Sequence, residues 1–213
     1  MADNEGRASE GRASEGAGND DTQRSFLFIV GSGRPDGNTE MLARIAAGQL
    51  PPDLPQRWIQ LHNLELPVFR DVRHDQDPAT EPAGAERLLL DETLAATDLV
   101  IVSPLYWYSV SWSVKLYLDY WSRWLRVPEA DFKGRMRGKN LWSVTVMADD
   151  DYALADPLLG TLKLSASYLD ARFAGALLGR GSWPGDVLKD RAAVERAHDF
   201  FDVARNRTAR IRV

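Results

Sequence analysis

Between Gly31 and Thr39 the chain reads GSGRPDGNT, directly after five apolar residues, Phe26 to Val30. Glycine, serine and asparagine at the start of a helix are what a bound phosphate needs. The first backbone N–H groups of a helix lack internal partners, and the helix dipole favours an anion beside them. Ser32 and Thr39 add hydroxyl donors, and Arg34 adds a charge-assisted bond. The spacing narrows the ligand. A triphosphate-binding P-loop places Lys and Ser or Thr directly after its last glycine, whereas Asn38-Thr39 follows Gly37 here. A dinucleotide fingerprint runs G-x-G-x-x-G, and Gly31, Gly33 and Gly37 carry one residue too many. The loop therefore suits a single terminal phosphate. The alternative is a glycine-rich turn in which Asn38 is only a helix cap.

A second constellation follows another apolar run, Asp98 to Val102. Here the chain reads SPLYWYSVSW from Ser103 to Trp112, with Tyr106, Trp107 and Tyr108 consecutive. Aromatic side chains where a buried strand ends suit a flat heteroaromatic ligand. Alternatively, the rings pack under the next helix. A third cluster, Asp149-Asp150-Asp151, has the chemistry of a hard-cation site, although acids in a loop are usually solvated. His62, His74 and His198 stand far apart, and there is no cysteine and no G-x-S-x-G elbow. Thiolate, disulfide, zinc and serine-hydrolase chemistry therefore have no candidate residues.

Elements must bring the first two loops together. Phe26–Val30, Trp58–Leu61, Asp98–Val102, Leu141–Met147 and Arg172–Leu178 are apolar runs without polar alternation. Such runs predict strands covered on both faces, as in a parallel sheet. Helical spacing follows or precedes each: Met41, Leu42, Ile45, Ala46; Leu88, Leu89, Leu94, Ala95; Val114, Leu118, Trp121, Leu125; Leu158, Leu159, Leu162, Leu169; Val187, Ala192, Val194, Phe200. Five strands alternating with five helices predict a doubly wound α/β fold. In the strand order 2-1-3-4-5, the crevice between the first and third strands is the topological switch point at which ligands bind. The phosphate loop and the aromatic loop should face each other across it.

At these residues the chain resembles the flavodoxin-like NAD(P)H-dependent FMN reductases. GSGRPDGNT resembles the family's phosphate loop, and SPLYWYSVSWSVKLYLDY resembles its S-P-x-Y-W loop with the following x-x-K-x-x-x-D. PGDV (Pro184 to Val187) resembles a feature before the family's last helix, so the likeness spans roughly residues 25–205. It implies a flavodoxin-like sheet that binds FMN. Ser32, Arg34, Gly37, Asn38 and Thr39 would hold the phosphate. Pro104, Leu105, Tyr106 and Trp107, with Tyr108 of the same loop, would hold the isoalloxazine. No side chain is expected to be catalytic, because the flavin carries the chemistry. NADPH or NADH would reduce the flavin, and a quinone, flavin, azo or nitro compound would be the small-molecule acceptor. One departure stands out: the family often places small residues where Asp149–Asp151 lie.

Composition limits the remainder. The 213 residues suit one well-buried core, at roughly 100–200 residues per domain. Residues 1–23 repeat EGRAS and hold six acids against two arginines; they read as a disordered tail, with the FMN-binding domain at 24–213. The net charge is −5, almost all of it on that tail. No basic face points to nucleic acid, no apolar run approaches a membrane span, and the absence of cysteine fits the cytoplasm. In the helix after the third strand, Tyr117, Tyr120 and Trp124 widen the stripe of Val114, Leu118, Trp121 and Leu125 into a broad apolar arc. Long loops packed over it would explain that width. A homodimer face is the other explanation and the expected one, and relatives often build the flavin pocket between subunits. The alternative function is a flavodoxin-type electron carrier. Such carriers are strongly acidic around the flavin, whereas the folded part here is nearly neutral.

Overall fold

The computed structural model describes residues 24–71 and 81–202. The expected N-terminal tail and His74 lie outside the described residues. Five strands, β1 (Phe26–Val30), β2 (Gln56–Gln60), β3 (Asp98–Val102), β4 (Asn140–Met147) and β5 (Arg172–Arg180), form one sheet. All neighbours are parallel and the order is β2-β1-β3-β4-β5, as the sequence predicts. β1 and β3 lie at its centre and every residue in them is buried, which explains their unbroken apolar runs. β2 is an edge strand, and its exposed Gln56 and Arg57 fit that place.

Because side chains alternate along a strand, each central strand feeds two cores. Leu27, Ile29, Leu99 and Ile101 pack with α2 (Gly84–Ala95), α3 (Trp112–Trp124) and α5 (Asp156–Tyr168). Phe26, Phe28, Val30, Val100 and Val102 pack with α1 (Asn38–Ala47) and α6 (Arg191–His198). Each of these large side chains contributes about 1.5–3 kcal/mol by leaving water. At the amino ends of the strands Asp98 is fully buried. It accepts from Arg24 at 2.8 and 3.1 Å, from Asn140 at 3.0 Å and from the Trp142 indole at 2.8 Å. This buried charge has its partners, as burial demands, and it lies at the opposite edge from the ligand loops.

The structure departs from the expected pattern in two places. A short helix, α4 (Phe132–Met136), intervenes before β4; at five residues it is too brief to show a helical period. Val187 is not part of the last helix. It lies in a 3-10 turn, Asp186–Lys189, entered through Gly185 at φ 81°. The Asp190 side chain then accepts from the Ala193 N–H at 3.1 Å and starts α6 anew. Phe200 packs beyond the end of α6, against Trp142.

The broad arc of α3 is largely used within the chain. Tyr117, Tyr120, Trp121 and Trp124 are buried. The Tyr120 hydroxyl donates to the Pro67 carbonyl at 2.9 Å, Phe69 meets the Tyr120 ring edge-on, and Phe132 packs on Trp121 and Trp124. The segment after β2 and α4 thus account for the width that the sequence reading assigned to a second subunit. No helix among the described residues is long and apolar enough to cross a membrane.

Candidate functional site

The loops after β1 and β3 are joined by a chain of serines. The Ser111 N–H donates to Ser103 Oγ at 2.9 Å, and Ser103 Oγ donates to the Pro104 carbonyl at 3.0 Å. Ser111 caps α3, its hydroxyl accepting from the Val114 N–H at 3.4 Å. Ser113 Oγ lies 3.2 Å from Ser111 Oγ and donates to the Gly31 carbonyl at 3.2 Å. Gly31 must be glycine. A Cβ there would lie 2.3 Å from Val114 Cγ2 and 2.4 Å from Ser111 Oγ. Sequence reasoning placed the two loops face to face, and these contacts show how it is done.

The phosphate-type loop is pre-shaped. Ser32 is buried, and its hydroxyl accepts from the Arg34 N–H at 3.2 Å and donates to the Arg34 carbonyl at 3.0 Å. Asp36 takes a positive φ of 51°, and extended Gly37 leads into α1. The first ladder bond runs from the Met41 N–H to the Gly37 carbonyl at 2.9 Å. The N–H groups of Asn38, Thr39 and Glu40 precede it and have no partner in the ladder. Glu40 would repel an anion here, but it is buried and accepts from Arg44 Nε at 2.9 Å and from Gln60 Nε2 at 2.8 Å. Its charge is balanced on the β2 side. Arg34 is exposed and has no carboxylate partner among the described residues.

The aromatic loop is a tight hairpin. Tyr106 and Ser109 exchange two backbone bonds, at 3.1 and 3.0 Å. Between them Trp107 (φ 49°) and Tyr108 (φ 63°) both occupy the left-handed region. Such turns favour Asn-Gly. Bulky residues in sparsely populated backbone regions cost about 1–3 kcal/mol each and gather at functional sites. The rings at this turn face solvent: Trp107 is 94% exposed.

One cavity of about 380 Å³ opens where these loops meet, at the carboxyl edge of the sheet. Ser32, Arg34, Gly37, Asn38 and Thr39 line it, as do Pro104, Leu105 and Tyr106. Trp107 and Tyr108 do not line it. Five further residues complete the wall: Val146 and Met147 at the end of β4, Ala148 just after it, and Gly181 and Ser182 after β5. Strand order was the available signal for these, because β4 adjoins β3 and β5 adjoins β4.

The three acids stay out of the wall. Asp149 Oδ1 accepts from the Asp151 N–H at 2.9 Å, and Asp151 Oδ1 accepts from the Ala153 N–H at 3.0 Å. These are turn-forming bonds. Asp150 is exposed, 3.9 Å from Arg180. Small Ala148 faces the cavity in their place. Among the described residues no His, Cys, Asp and Glu group is arranged to hold a metal ion.

Residues 25–156 match the model of the NADPH-dependent FMN reductase family. A Bacillus subtilis (strain 168) protein named as an NAD(P)H-dependent FMN-containing oxidoreductase, YwqN, is 29% identical over 170 residues, covering 79% of this chain and 92% of its own. Among solved structures, the Trp repressor binding protein of Bacillus subtilis is 26% identical. It superposes with a TM-score of 0.66 over 83% of this chain and 97% of that one. An FMN-dependent NADH-azoreductase of Bacillus anthracis, solved in complex with FMN, has a TM-score of 0.58 over 85% of this chain and 99% of that one. At 15% identity that likeness is one of fold. The family match includes both ligand loops and ends at Asp156, before the PGDV segment. With that match over more than half of its length, the chain belongs to the NADPH-dependent FMN reductase family.

Proposed function

We propose that this NAD(P)H-dependent FMN oxidoreductase passes electrons to a flat, conjugated acceptor of the quinone, flavin, azo or nitro class, in the cytoplasm, as a homodimer. FMN fits the residues present. The end of the cavity at α1 offers unladdered N–H groups, the buried Thr39 hydroxyl and an exposed guanidinium, the donor set for a phosphate dianion. The other end offers carbon surface and extended backbone at Pro104, Leu105 and Tyr106, the surroundings of a flat ring. When bound, FMN supplies the two-electron redox chemistry between nicotinamide and acceptor.

The chain's residues bind and orient. Arg34 neutralises phosphate charge and Thr39 donates a hydroxyl bond, while Ser32, whose one hydroxyl hydrogen lies on the Arg34 carbonyl, holds the loop in shape around the anion. The serine chain from Ser103 to Ser113 fixes the aromatic loop against the phosphate loop, so the two ends of the ligand are held at a set distance. Exposed Tyr106, Trp107 and Tyr108 give the rim a surface on which a conjugated acceptor can stack. The observation that carries this reading is the single cavity shared by the two loops.

The dimer reading rests on the groove between α3 and α5. Leu118, Leu125, Leu164 and Tyr168 line about 310 Å³ there, and Leu164 is 74% exposed. An exposed apolar surface of this kind favours association.

An absorbance spectrum tests the reading, after incubation with FMN, desalting and anaerobic NADPH. A retained band at about 450 nm that bleaches without a partner protein is expected; quinone, azo and nitro compounds then rank the acceptors by reoxidation rate. Retained flavin that neither NADPH nor NADH bleaches would favour the electron carrier. A folded protein that retains no flavin would end the cofactor assignment.

A further inference from the structure

Asn38 opens α1 and lines the cavity, yet its side chain is committed elsewhere. The amide nitrogen donates to the Trp183 carbonyl at 2.8 Å. The amide oxygen accepts from the Val187 N–H at 3.4 Å. One partner is an acceptor and the other a donor, and a carboxamide of this length serves both at once. Aspartate would keep only the acceptor, and alanine neither.

The segment that Asn38 grips is braced within itself. The Trp183 N–H donates to Asp186 Oδ2 at 2.8 Å, and the Asp186 N–H donates to the Trp183 carbonyl at 3.0 Å. Gly185 turns the chain at φ 81°. At the base of the segment, the Gly181 N–H donates to the Met147 carbonyl at 2.8 Å. A Cβ on Gly181 would lie 2.8 Å from the Val187 nitrogen and 3.0 Å from Asn38 Nδ2. Glycine is what lets the strand end close against Asn38. Gly181 and Ser182 then line the same cavity as Ser32, Gly37 and Thr39. The hold on Trp183 spans 145 residues of sequence.

We propose that the Asn38 side chain is a positioning group that docks the loop after β5 as a second wall of the phosphate end, and that Ser182 on this wall donates its hydroxyl to the FMN phosphate. The inference rests on the FMN reading above. It reassigns Asn38, whose direct contribution to the phosphate is its backbone N–H alone. It also adds a contact from a loop outside the segment that matches the family.

Paired affinities for FMN and riboflavin, by titration of flavin fluorescence, test it. Riboflavin has the ring and ribityl chain without the phosphate. Wild type should prefer FMN. Asn38→Ala should lower FMN affinity about tenfold and leave riboflavin within about twofold. Asn38→Asp, which also adds an anion beside the phosphate, should lower it further. Ser182→Ala, at an exposed position, should lower FMN affinity by about threefold to tenfold with riboflavin unchanged. If either alanine variant keeps the wild-type FMN-to-riboflavin ratio, the proposal fails; equal loss of both ligands means Asn38 only holds the fold. Should Asn38→Ala not fold, Ser182→Ala decides alone. Wild-type protein that binds neither flavin would sink the FMN reading instead.

Discussion

The Ser113 hydroxyl donates to the Gly31 carbonyl at 3.2 Å across 82 residues of sequence, and it does so where β1 and β3 both end. Through this bond the first turn of α3 and the start of the phosphate loop share one position. No space is left for a side chain at Gly31, because Val114 Cγ2 and Ser111 Oγ stand 2.3 and 2.4 Å from where its Cβ would be.

Gly31→Ala should therefore cost about 1–3 kcal/mol of stability, as overpacking in a tight core does. It should also weaken FMN, because relief requires the two loops to part. Urea unfolding combined with FMN titration measures both. An alanine variant with wild-type midpoint and affinity would show that the loops are not held this way.

Trp107 stands at φ 49° with its ring in solvent. Trp107→Gly should raise thermal stability, by about 1 kcal/mol from relief of the left-handed strain. It should at the same time raise KM for flat aromatic acceptors, while FMN affinity stays close to wild type because the residue does not line the cavity. Calorimetry and steady-state kinetics with a quinone measure the pair. A variant that gains no stability contradicts the strain argument, and one with unchanged KM contradicts the stacking role.

Burial pushes the Tyr117 phenol well above its ordinary value, against the opposing effect of its hydrogen bond with Thr93. A raised value means that stability is fully present below the unfolded tyrosine value of about 10 and falls as pH rises above it. Tyr120 is shifted the same way by burial and by Glu86. Alkaline unfolding should set in above pH about 10. Tyr117→Phe should lower neutral stability by about 1 kcal/mol through the lost hydrogen bond and flatten the alkaline decline. Urea midpoints between neutral and alkaline pH check the slope; an identical decline in the variant would refute the assignment.

Leu164 offers a large apolar side chain to the α3–α5 groove from an exposed position. Leu164→Glu should halve the solution mass of a dimer, read by light scattering after gel filtration, with the monomer still folded. Wild type already eluting as a monomer would remove the dimer from the reading.

Much of this protein is legible in its sequence alone. β1 and β3 are buried on both faces, so their runs carry no polar alternation, and alternating elements predict a doubly wound sheet, while its order 2-1-3-4-5 is what the flavodoxin-like resemblance implies. The glycine spacing from Gly31 to Gly37 distinguishes one phosphate from three or two because backbone must approach the anion. What the chain alone did not determine lies in contacts between distant segments. The arc of α3 reads the same whether Phe69 and Phe132 cover it or a second subunit does, since periodicity records only that a face is apolar. Asp149 and Asp151 read as solvated loop acids with a cation site as the alternative, and only the structure finds their oxygens on backbone N–H groups two residues on. Asn38 reads as a phosphate donor or a helix cap, and only the tertiary structure brings Trp183 and Val187 within reach of its amide. A side chain's type sets which bonds it can make; which partners come near it is decided by the packing of the whole chain.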